Sequence, residues 1–230
     1  MKEELKVNDK DIVVPGETIA TGMSFLPGPG TYRYESNIVA QKLGMVSVDG
    51  KVIKLITLSG KYDPKVKDRV IGRVVDVLMT GWRFDINCPY SAVLNMKDAV
   101  SEFIPRGADL TQYFNISDYA IGMITNVTSQ KLVDIATKGP GLRKLRGGRI
   151  ISVSPKKVPR IIGKEGSMVT LIKEKTGCDI VVGQNGLVWI SGEPHQEVVA
   201  VNTIKTIEQQ AHLSGLTERV SEMLANGGSQ

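Results

Sequence analysis

A chain of 230 residues, 41% hydrophobic and 23% charged, has room for two or three small domains and the composition of an ordinary globular protein. Its net charge of +5 is modest, and no apolar run approaches the roughly 20 residues that cross a bilayer. The charged opening Met1-Lys2-Glu3-Glu4-Leu5-Lys6 has no signal-peptide core, and Cys88 and Cys178 form neither a CxxC pair nor a disulfide framework, so a cytoplasmic protein with no membrane or zinc partner is expected.

Residues 1–64 read as a small β-domain. Val14-Pro15-Gly16-Glu17 and Leu26-Pro27-Gly28-Pro29-Gly30 are turn sequences. Met45–Val48 and Val52–Leu58 flank Asp49-Gly50, a pair suited to the centre of a type I′ hairpin turn. The segment has little charge bias and no catalytic constellation. A domain this small buries little surface, so it gains from docking on a neighbour or a partner.

Residues 65–148 read as a closed barrel of the OB type. Val70–Met79 forms a long strand, Thr80-Gly81 turns it, and Trp82–Cys88 alternates with Trp82, Phe84 and Ile86 on one face. Asp118–Val127 and Lys131–Thr137 supply further strands. Between Asn95 and Ser117 runs a long connection containing Ile104-Pro105-Arg106-Gly107, a usual place for function on a rigid scaffold. Barrels of this type bind single strands by stacking bases on aromatic rings and holding phosphates with cations. Trp82, Phe84 and Tyr90 are the stacking candidates, although an alternating Trp/Phe pair serves equally well as core. Lys67, Arg83, Arg106, Arg143, Lys144 and Arg146 are the candidate phosphate contacts.

The window Lys138–Lys173 holds ten basic side chains against one acid, Glu165, a local charge of +9 that leaves −4 on the remainder. A basic block in an otherwise acidic chain is the footprint of a polyanionic partner.

Residues 149–230 follow the order β-α-α-β-β-α of a KH domain. A strand over Arg149–Val153 leads through a short helix to Gly163-Lys164-Glu165-Gly166, and a second helix runs from Ser167, placed to cap it, to Gly177. Strands Cys178–Val182 and Leu187–Ile190 follow. A helix from Pro194 then carries Ala200, Ile204, Ile207 and Ala211 on one face. In a GXXG loop the missing side chains let a phosphodiester backbone approach the peptide groups. Gly163 and Gly166 have that role here, with Lys164 and Arg160 as phosphate contacts. A second match, Gly183-Gln184-Asn185-Gly186, lies between two strands and reads as a hairpin turn. Leu216, Val220, Met223 and Leu224 mark one more amphipathic stretch, and Asn226–Gln230 a flexible tail.

Enzymatic readings find little support. A P-loop needs glycine where Val158 stands, the histidines are His195 and His212, and Asp76 and Asp85 are too isolated for a two-metal site. No catalytic residue, metal or cofactor is expected.

Taken together, Val14-Pro15-Gly16-Glu17, Gly30-Thr31-Tyr32, Tyr62-Asp63-Pro64, Val70-Ile71-Gly72-Arg73-Val74 and Ile162-Gly163-Lys164-Glu165-Gly166 resemble the RNA-binding cap subunit of the archaeal exosome, the ribosomal-RNA-processing protein four type, over almost the whole chain. The resemblance implies a multidomain β and α+β protein: an N-terminal β-domain that docks on the ring, an S1 barrel and a KH domain. It implies a role without chemistry of its own. Three copies would cap a hexameric phosphorolytic ring that degrades and processes RNA from the 3′ end. The S1 domains would line the pore, and the KH domains would recruit single-stranded, poly(A)-rich RNA. The sibling cap subunit ends in a zinc ribbon, which two distant cysteines cannot supply. Polynucleotide phosphorylases place KH before S1. The family often has asparagine before the second glycine of GXXG, where Glu165 stands. A free-standing S1/KH protein of translation or ribosome assembly is the alternative.

Overall fold

The computed structural model describes residues 3–58, 60–105, 107–211 and 215–225. The chain divides into two compact units, Met1–Gly60 and Lys61–Gln230.

In the first unit, short strands form two antiparallel-rich sheets. Strands β1 (Glu4–Leu5), β3 (Thr18–Thr21), β5 (Thr31–Tyr34) and β6 (Asn37–Ala40) make one, in the order β1-β3-β6-β5. Strands β2 (Ile12–Val13), β4 (Leu26–Pro27), β7 (Gly44–Asp49) and β8 (Val52–Thr57) make the other, in the order β2-β7-β8-β4. Alternation sends Val13, Ile19, Ile38, Val46, Ile53 and Leu55 into a common core. The expected hairpin forms, with one correction. Asp49 pairs with Val52, so the loop is Gly50-Lys51, and within it positive φ is confined to Gly50 (59°), as in a type II′ turn. On the outer face, Ile12 lies opposite Met45 and Met45 opposite Ile56, and Ile12 and Ile56 are 65% and 50% exposed.

The second unit opens with a barrel. Strands β9 (Arg69–Leu78), β10 (Gly81–Asp85), β11 (Ser91–Asn95), β12 (Tyr119–Val127) and β13 (Val133–Ala136) close on themselves through the β12–β13 pairing, and β14 (Arg143–Leu145) extends the sheet beside β12. Strand β11 was not expected; its Ser-Ala-Val-Leu-Asn sequence is short and carries a single large apolar residue inward, Leu94. Helix α1 (Met96–Ala99) begins the long connection, which folds back under the barrel instead of projecting from it. Its Phe114 meets Trp82 edge-on at 5.3 Å and accepts the indole N–H on its carbonyl at 2.9 Å. Trp82 and Phe84 are therefore not stacking platforms. Both are 0% exposed and form the centre of the barrel core with Val70, Val74, Leu94 and Ile124. The alternation that singled them out points inward.

The βααββα order is as expected. Strand β15 (Arg149–Ser152) leads through a single 3₁₀ turn to α2 (Val158–Ile162); the GKEG loop joins it to α3 (Ser167–Thr176). Strands β16 (Asp179–Val182) and β17 (Leu187–Ser191) follow, then α4 (Pro194–Gln209) and α5 (Leu216–Ala225). The sheet order is β15-β17-β16, all antiparallel. Helices cover one face: Ile161, Met168, Ile172, Ile204, Ile207 and Val220 pack on Val188 and Ile190. Helix α4 stops short of Ala211, and residues 226–230, expected as a tail, lie outside the described residues. The opposite sheet face lies on the barrel wall, where Trp189 packs with Ile71, Ile121 and Leu145.

Candidate nucleic-acid interface

The GKEG loop is shaped by two glycines with different duties. Gly163 has φ 76°, and a Cβ there would meet the Met168 backbone nitrogen at 2.7 Å, so this glycine is required by the close approach of α3. Gly166, φ 84°, faces open space. Between them Glu165 adopts a left-handed conformation (φ 54°, ψ 24°), a strained state for a side chain of this size. Ser167 does not cap α3. It is the first helical residue, Gly166 occupies the cap position, and the side chain makes no capping bond. Gly177, φ 66°, closes the helix with its N–H donating to Lys173 O at 2.8 Å, as expected.

Beside the loop runs a groove of about 660 Å³. Arg160, Gly163, Lys164 and Ser167 line one side, and the start of α5, with Leu216, Thr217 and Glu218, lines the other. Arg160, Lys164 and Glu165 are exposed, and among the described residues neither cation has an ion pair.

A second basic region lies at the seam between barrel and sheet. Arg143 is committed to structure: its guanidinium bonds Asp179 at 2.5 Å and lies 5.6 Å from the centre of the Trp189 ring. Lys144 is half-buried, paired with Asp118 and bonded to Tyr113 O at 3.3 Å. Burial pushes the Asp179 and Asp118 carboxyls up, but hydrogen bonds outweigh it, from Arg143 and Lys173 to the first and from Lys144 to the second. Both end below the usual carboxylate range. Arg146 is exposed and borders grooves of about 420 and 550 Å³ on either side of Lys144.

The second GXXG sequence is more than a turn. Asn185 is fully buried and plugs the hairpin into the barrel: its amide nitrogen donates to Ile71 O at 2.7 Å and Ile86 O at 2.8 Å, and its oxygen accepts from Ile71 N at 3.3 Å. Gln184 N donates to Arg69 O at 2.8 Å. A Cβ on Gly183 would meet the Asn185 oxygen at 2.4 Å and Ile71 N at 2.9 Å. A glycine is therefore needed for the hairpin to come this close. Here the asparagine before a second glycine belongs to the docking hairpin, while the outward loop carries glutamate.

Three family models match, in the same order as the folded modules: the exosome complex exonuclease RRP4 N-terminal region over residues 12–49, the RRP4 S1 domain over 61–105 and the KH domain over 148–196. The proteins of Methanothermobacter thermautotrophicus and Thermococcus kodakarensis named exosome complex component Rrp4 are 44% and 40% identical. Each alignment spans 96% of this chain, and 70% and 88% of those proteins respectively. The chain belongs to the Rrp4 family. The Methanothermus fervidus member is 42% identical over 96% of this chain and 97% of its own. A solved crystal structure assigned as an exosome complex RNA-binding protein matches with a TM-score of 0.64 and 33% identity, covering 73% of this chain and 97% of that one.

On this Rrp4-family scaffold the expected site residues separate. Arg160, Gly163, Lys164, Glu165 and Gly166 come together at one loop, and Arg143, Lys144 and Arg146 at the seam. Lys67 is exposed on the turn entering β9, with φ 73°, and its N–H donates to Ile124 O. Arg83 lies on the outer face of β10, 3.8 Å from Asp76. Trp82 and Phe84 are core, and Arg106 lies outside the described residues. Asn185, Trp189 and Asp179 were missed. Asn185 sat within view, in a motif whose glycines invited a turn reading. Among the described residues no group of three or more His, Cys, Asp or Glu side chains is placed to hold a metal, and no helix is long and apolar enough to cross a membrane.

Proposed function

We propose that this chain is the non-catalytic RNA-binding cap subunit of an exosome working in the cytoplasm. Three copies sit on a hexameric phosphorolytic ring, recruit single-stranded, poly(A)-rich RNA and thread it toward the pore. The observation that carries this reading is the outward GKEG loop, with open Gly166 and two cations that have no ion pair among the described residues, on a chain of the Rrp4 family. The Ile12–Met45–Ile56 row of the first unit, with Ile12 and Ile56 exposed and Met45 half-buried between them, supports docking, since contiguous apolar surface of this kind marks protein interfaces. Within the basic block Arg143, Lys144, Arg149 and Lys173 pair within the chain, which leaves Arg146, Arg160 and Lys164, with Lys138 on the barrel, as cations placed for phosphates.

The test is capture of the tagged chain from its own cell extract, with and without ribonuclease. Ring subunits should survive digestion, and Ile56→Asp should lose them while the purified variant still binds RNA. Partners lost on digestion would favour a free-standing RNA-binding protein instead. Replacing Lys164 and Glu165 together by Asp should weaken single-stranded RNA binding at least about tenfold near physiological salt and flatten its salt dependence, because phosphate contacts are lost and repulsion is added. Unfolding by urea should be unchanged. Equal affinity for both proteins would place the RNA on the barrel alone.

A further inference from the structure

With Trp82 and Phe84 buried, Tyr90, 38% exposed, is the expected stacking candidate still at the surface, and the barrel presents a second, far more exposed ring. Phe103 is 87% exposed, on the connection just beyond α1. Its neighbour Ile104 is anchored in the barrel core, which holds the chain down and leaves the phenyl ring outside. The ring borders a groove of about 440 Å³ whose other walls include Lys97, Val100 and Lys138. Lys138 is fixed there by the backbone: its N–H donates to Asp98 O at 3.2 Å, and the preceding Thr137 N–H donates to the same oxygen at 2.9 Å. Both lysines are exposed and, among the described residues, without an ion pair. Glu102 is the acid on this wall. Val100 and Lys138 also line the adjoining groove that reaches Arg146, so the surface continues from Phe103 toward the seam with the KH sheet.

We propose that Phe103 is a base-stacking residue for single-stranded RNA, with Lys138 and Lys97 holding the flanking phosphates. An exposed ring between solvent-facing cations, in a groove continuous with further basic residues, is the arrangement that binds successive nucleotides without reading sequence. The groove is lined mostly by apolar surface, and the two exposed lysines at its walls favour a polyanionic strand over a protein partner. This site rests on the RNA-binding reading above and adds a second contact point on the barrel, apart from the GKEG loop.

The experiment uses the purified full chain and an oligoadenylate carrying 2-aminopurine, whose fluorescence is quenched on stacking. Phe103→Ala should weaken binding about fivefold or more and lose quenching, with the salt slope unchanged. Phe103→Tyr should retain both. Lys138→Ala should lower the log–log salt slope by about 0.7. Unchanged affinity and quenching in Phe103→Ala, alongside weakened binding by the Lys164→Asp/Glu165→Asp protein, would overturn the stacking site and leave the proposed function intact. Loss of ring assembly with RNA affinity unchanged would reassign Phe103 to a protein contact. No RNA binding by the parent chain would overturn the site together with the reading beneath it.

Discussion

Replacing Asn185 with leucine is expected to destabilise the second unit by about 3–5 kcal/mol and to loosen the hairpin from the barrel. The side chain satisfies Ile71 N, Ile71 O and Ile86 O in a fully buried site. Leucine matches its size roughly but offers no polar atom, so these backbone groups lose their partner. Each such group costs about 1–3 kcal/mol when left unsatisfied in the interior. Urea unfolding followed by tryptophan fluorescence would measure the loss, because Trp189 lies in the same seam. Hydrogen exchange at Ile71 would distinguish local undocking from global unfolding. A shift below about 1 kcal/mol would mean that the apolar seam holds the modules together without the amide.

Truncating Trp82 to alanine should cost about 3–5 kcal/mol as well, through a cavity at the centre of the barrel and the lost bond to Phe114 O. Arg83→Ala, one residue away, should stay within about 0.5 kcal/mol of the parent. Its pair with Asp76 is long and half-exposed, and such pairs contribute little. The contrast separates the two readings of an alternating aromatic strand. A Trp82→Ala protein of parental stability that had lost RNA binding would restore the stacking role.

The order of modules and the GKEG loop were legible because each depends on local signals: glycine spacing, helix periodicity and turn residues. Strand and helix positions within the βααββα module are set by those same signals, and they appear where expected. What stayed hidden depends on partners distant in the chain. Whether Trp82 faces in or out is decided by Phe114, folded back from a connection that has no periodicity of its own. Arg143 and Lys144 look like a free basic pair until Asp179 and Asp118 are placed beside them. Positive charge could be counted, but its neutralisation could not. Asn185 shows the same limit, since its ligands are backbone groups of the barrel and carry no side-chain signature.

The asparagine plug also bears on how the protein is made. Ile71 leaves the ribosome 114 residues ahead of Asn185. At about 5–20 residues per second, that is an interval on the order of 6–20 s. In the last part of it, once Ala136 has been made, the barrel strands are complete while Ile71 and Ile121 still lack the Trp189 face that covers them. The nascent chain must therefore carry an uncovered apolar wall until its last sheet is synthesised, and that is the interval in which a chaperone would find it.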